Sequence, residues 1–86
     1  MNNTSYISEE KEKEQMLSRF NAAYAIAGKR WMDLVISVNA NYDSKAGSDA
    51  MKRIIADRKT GRRIRIDKLT EITTALETAI GITENV

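Results

Sequence analysis

The side chains of this 86-residue chain that could do chemistry are its cations, and most of them lie close together. Residues 45–68 hold nine basic and three acidic residues, net +6. Residues 1–44 carry −1 and residues 69–86 carry −3, so the overall +2 conceals a strong segregation. A basic stripe on an otherwise near-neutral chain is the electrostatic footprint of a phosphate-binding surface. Arg58, Lys59, Arg62 and Arg63 bunch around Gly61, where both side chains and backbone N–H groups can approach a phosphate. Arginine suits this role because its planar fork donates two hydrogen bonds to a phosphate or a guanine edge. The competing reading is plainer: cations on a solvated helix face are ordinary.

Other chemistry is excluded by what is missing. With no cysteine and no histidine there is no thiolate, no imidazole and no triad, and the usual zinc ligands are absent. Ser44-Lys45 lacks any accompanying oxyanion hole, and no glycine-rich phosphate loop occurs. Glu9, Glu10, Glu12 and Glu14 could attract a cation, but the interleaved Lys11 and Lys13 read as a solvated helix start. The chain is therefore expected not to be an enzyme and to need no cofactor or metal. No apolar run approaches the ~18 residues of a membrane span. The polar, acidic start is no secretory signal. Both point to a cytoplasmic protein.

The elements that must position these cations are helical. Proline is absent, which leaves helices uninterrupted. Residues 1–7 lack periodicity and read as a flexible tail; residues 8–81 form one domain; residues 82–86 are a second tail. Ser8 can cap a first helix over 9–27, whose apolar stripe is Met16, Leu17, Phe20, Ala23, Tyr24 and Ala27, stopped by Gly28. Trp31, Leu34, Val35 and Val38 mark a short second helix, with Met32 and Ile36 on its flank. The third runs to Lys59 from a cap at Ser44 or Ser48, with Ala50, Met51, Ile54 and Ile55 inward and Lys45, Asp49, Lys52, Arg53 and Ala56 outward. Residues 62–67 form an extended connector or, with residues 63–67 paired to residues 53–57 about Lys59-Thr60-Gly61, a hairpin. Asp67 caps the last helix, striped by Leu69, Ile72, Leu76, Ala79 and Ile80 and stopped by Gly81. The fold class is all-α, a compact bundle of about four helices. Trp31 could stack on a base, but its place in an apolar stripe favours the core.

The stretch from Ser48 to Gly81 resembles the third and fourth helices of lambda-repressor-like (Cro-type) helix-turn-helix domains. The matching residues are Arg53-Ile54-Ile55, then Lys59-Thr60-Gly61, then Leu69-x-x-Ile72-x-x-Ala75-Leu76. The alanine and glycine that mark the family's tight turn have no counterpart in residues 31–44. The resemblance implies a helix-turn-helix-like bundle whose third helix enters the major groove of double-stranded DNA. Lys45, Ser48, Lys52 and Arg53 would then contact bases or phosphates, and Arg58, Lys59, Arg62 and Arg63 would grip the backbone. Asp49 would accept from a cytosine amine or pair with Arg53 one turn on. Such domains bind as homodimers on paired half-sites. The expected function is sequence-specific transcription regulation of prokaryotic or phage type. The alternatives are a protein-interaction module from a phage or mobile element, using Met32 and Ile36, and an RNA-binding or ribosome-associated domain.

Overall fold

The computed structural model describes the backbone of residues 2–84 and the side chains of residues 10–81. Four α-helical segments follow one another: α1 (Asn2–Ala27), α2 (Trp31–Val38), α3 (Lys45–Asp57) and α4 (Ile66–Glu84). Single 3-10 turns, Gly28–Arg30 and Ala40–Tyr42, precede and follow α2. No strand occurs among the described residues, so residues 62–67 are a connector and not half of a hairpin. The arrangement is not a bundle of four comparable helices. Among the described residues there are three longer helices, of 26, 13 and 19 residues, and an eight-residue α2 that packs against α1 and α4.

α1 ends where expected, because Gly28 takes a φ of +65° that a helix cannot continue. Its start differs. The backbone is helical from Asn2, so Ser8 lies inside the helix rather than capping it. Residues 2–8 contain neither glycine nor proline, and nothing there interrupts helix propagation. Leu17, Phe20 and Ala23 are buried, with Met16, Tyr24 and Ala27 packed against the same core. Trp31 is buried too, meeting Phe20 edge-on at 5.3 Å between ring centroids. It serves the core and is closed to a stacking nucleotide. Val35 shares that core, but Val38 at the helix end is 41% exposed. Met32 and Ile36 also pack against the core.

The turn into α3 is tightly specified. Ser44 is the cap: its Oγ accepts from the Gly47 N–H at 3.0 Å and donates to the Asn41 carbonyl at 3.1 Å. Gly47 is required here, since a Cβ would lie 2.5 Å from the Tyr42 Cα. Tyr42 is buried and its hydroxyl donates to the Glu71 carboxylate, pinning the turn to α4. α3 then buries Met51 and Ile54. It closes at Gly61, whose N–H donates to the Asp57 carbonyl at 2.7 Å and whose φ is +69°. The connector drops Ile64 into the core.

α4 packs against both α1 and α2 and burys its whole expected stripe, Leu69, Ile72, Leu76, Ala79 and Ile80. It begins at Ile66, so Asp67 sits in the first turn instead of capping it. It also runs through Gly81 to Glu84. A glycine ends a helix by turning left-handed, as Gly28 and Gly61 do, and Gly81 does not. Met1, Asn85 and Val86 lie outside the described residues.

Candidate nucleic-acid interface

α3 presents its cations because its apolar residues are committed elsewhere. With Gly47, Met51 and Ile54 facing inward, the opposite side must carry Lys45, Asp49, Lys52, Arg53 and Ala56, all of them exposed. Ser48, at the boundary of the two faces, is half-buried. The Asp49–Arg53 pair expected one turn apart is not made. Among the described residues the ion pairs are Arg19–Glu77 and Arg65–Asp67. Lys45, Lys52, Arg53, Lys59, Arg62 and Arg63 are exposed, and the side chain of each is without an ion pair or hydrogen bond. None of the six is neutralised by an ion pair.

Arg58 departs from this set. Its Nη1 donates to Asn21 Oδ1 at 3.0 Å, and its guanidinium carbon lies 5.1 Å from the Tyr24 ring centroid. Asn21 in turn donates to the Arg58 carbonyl at 3.4 Å. The last turn of α3 brings Arg58 over α1, where a π face and an amide oxygen both favour a cation. It ties two helices together and does not reach outward.

Two recesses draw on these cations. Arg62 lines a groove of about 430 Å³ together with Lys13, Leu17, Glu10 and Glu14 of α1. Arg53, Arg65 and Lys68 line a smaller cleft, of about 50 Å³, floored by Ala50, Ile54 and Ile64. Sequence reasoning passed over Arg65 and Lys68. Their three-residue spacing across the start of α4 was the available signal, since residues at i and i+3 share a helix face.

Ionisation adds little. The Tyr42 hydroxyl is pushed up, first by burial and then by its hydrogen bond to the Glu71 carboxylate. It stays a neutral donor near pH 7. Glu77 raises the Arg19 guanidinium through a hydrogen bond and its charge. Ser44, committed to its cap, is no nucleophile. No group of three or more metal-ligating side chains occurs among the described residues, and no helix there is long and apolar enough to cross a membrane. Comparison with known proteins finds no matching family model, no matching curated protein and no matching solved structure.

Proposed function

We propose that this chain binds double-stranded DNA through the outer face of α3 and the loop after it, acting as a non-catalytic regulator of prokaryotic or phage type. The observation that carries the reading is the set of six exposed cations, Lys45, Lys52, Arg53, Lys59, Arg62 and Arg63, none paired with a carboxylate. α3 has 13 residues and is about 20 Å long, a length that fits a major groove. Its exposed Ala46 and Ala56 leave room for close approach. The Cro-type resemblance and helix-turn-helix geometry belong to the same proposal. In this reading Lys52 and Arg53 read base edges, and Lys45, Lys59, Arg62 and Arg63 hold phosphates. Homodimerisation on paired half-sites belongs to the same proposal.

Salt dependence tests it. Each phosphate contact contributes roughly −0.9 to the slope of log affinity against log salt. Four such contacts therefore predict a slope of about −3.6. Gel shifts on random duplex DNA at two salt concentrations, with solution mass measured alongside, should show this steep loss and a dimer. Elution from a polyanion column in the void volume at low salt would refute the reading.

A second reading, a protein-interaction module, is favoured by Ile26, which is 63% exposed. It lines a groove of about 230 Å³ with Ala22, Ala23, Ile80 and Gly81. Met32 and Ile36, which the sequence offers for that role, are engaged with the core.

A further inference from the structure

The groove between α1 and α4 carries a charged pair at one end and an exposed isoleucine toward the other. It encloses about 230 Å³; α1 lines it with Arg19, Ala22 and Ile26, and α4 with Glu77, Ile80 and Gly81. Arg19 Nε donates to Glu77 Oε2 at 3.0 Å, and Nη2 of the same guanidinium donates to the other carboxylate oxygen. Both side chains stay accessible, 51% and 35% exposed. Ile26 stands two turns beyond Arg19 on α1, and Gly81 one turn beyond Glu77 on α4, so the groove runs from the ion pair toward the isoleucine. Ala22, Ala25 and Ile26 are all exposed, which leaves the outer side of α1 apolar where an amphipathic helix would be polar. Gly81 has open space where a Cβ would stand.

We propose that this groove is the contact between two copies of this chain, related by a two-fold axis that runs along it. Such an axis lays α1 of each copy over α4 of the other. Ile26 of each copy then enters the other's groove beside Ile80 and Gly81, and Arg19 of each meets Glu77 of the other. A two-fold contact needs a surface complementary to itself. This face has that property. It carries both the projecting isoleucine and its recess, and both a cation and a carboxylate, and one rotation matches the two sets. A strongly acidic or strongly basic partner would instead oppose one member of the ion pair with like charge. None of residues 45–68 lines the groove, so the basic segment takes no part in the contact. The assignment rests on the homodimer of the reading above and names its interface; it does not depend on DNA binding.

Sedimentation equilibrium on the full chain should show monomer and dimer exchanging with a micromolar dissociation constant, as a small interface implies. Ile26→Arg should weaken the dimer about a hundredfold, because each dimer loses two buried isoleucines. Gly81→Leu should weaken it about tenfold or more by filling the recess, while the single chain has room for the side chain. Val38→Arg alters the other large apolar side chain exposed among the described residues and should leave the dimer intact. The charges supply a test that packing within one chain would not pass. Arg19→Glu and Glu77→Arg should each weaken self-association, and an equimolar mixture of the two variants should form a heterodimer, since two opposite-charge pairs then form across the axis. A chain that stays monomeric at millimolar concentration, or a mixture no tighter than its separate components, would overturn the assignment. A dimer that survives Ile26→Arg also overturns it and leaves the homodimer reading standing on another surface. If the variants behave as described and duplex DNA is not bound, the interface is upheld and the DNA reading falls.

Discussion

At Arg58 a cation expected on the surface is used internally. Its bond to Asn21 and its place over Tyr24 hold the end of α3 to α1. Arg58→Ala should therefore lower stability by about 1–2 kcal/mol, read by urea denaturation. Arg63→Ala should leave stability within about 0.5 kcal/mol and instead weaken binding to all DNA sequences equally, read by fluorescence anisotropy. Thr73 is the opposite case. It is fully buried and its hydroxyl has no hydrogen-bond partner, so the fold bears an unmet polar group. Thr73→Val keeps the shape and removes the group, and should raise stability by about 1 kcal/mol, visible as a higher Tm. Tyr42 sets an alkaline limit. Its ionisation is raised on folding, so the stability it contributes is complete below the ordinary tyrosine value and is lost as pH rises above it. Stability measured above about pH 10 should fall, and should fall less in Tyr42→Phe.

Among the elements, the glycines separate conformational from steric cost. Gly28 has a positive φ and open space around its missing Cβ, so Gly28→Ala should cost about 1 kcal/mol from backbone strain alone. Gly61 adds an overlap with the Leu17 side chain at 2.5 Å and should cost more. Gly47→Ala should cost more again, because its overlap is with the Tyr42 backbone, which cannot swing aside. Thermal melts of the three variants should rank in that order. Much of this architecture was legible beforehand. The stripes of α1 and α4, the stop at Gly28 and the inward Met51 and Ile54 all follow from periodicity and capping chemistry, whereas the choice of Ser44 over Ser48 as the cap of α3 comes from the structure. The misreadings share a cause: they concern helix ends. Ser8, Asp67 and Gly81 each have the residue type of a boundary, and each lies within a helix. A cap residue permits a boundary but does not compel one when the backbone can continue. The interface was half legible. Charge counting located the basic segment. It could not show that Arg58 folds back over Tyr24, or that Arg65 and Lys68 join Arg53, because those placements depend on how α3 and α4 meet.

For the whole molecule, charges that are segregated along the chain meet again in space at the groove beside α1. Glu10 and Glu14 line the same groove as Arg62 and make no ion pair with it. Their negative charge stands beside the surface that a polyanion must approach, well inside the ~10 Å screening length at 0.1 M salt. Replacing both with glutamine should raise affinity for duplex DNA roughly threefold at low salt, with the gain shrinking as salt increases. Anisotropy titrations at two ionic strengths would read it.

The same groove carries a directional consequence. Where Arg62 meets α1, the basic surface is fenced by Glu10 and Glu14. On the proposed DNA reading, a duplex lying across this surface is repelled at that margin, and its footprint should end on the side of α1.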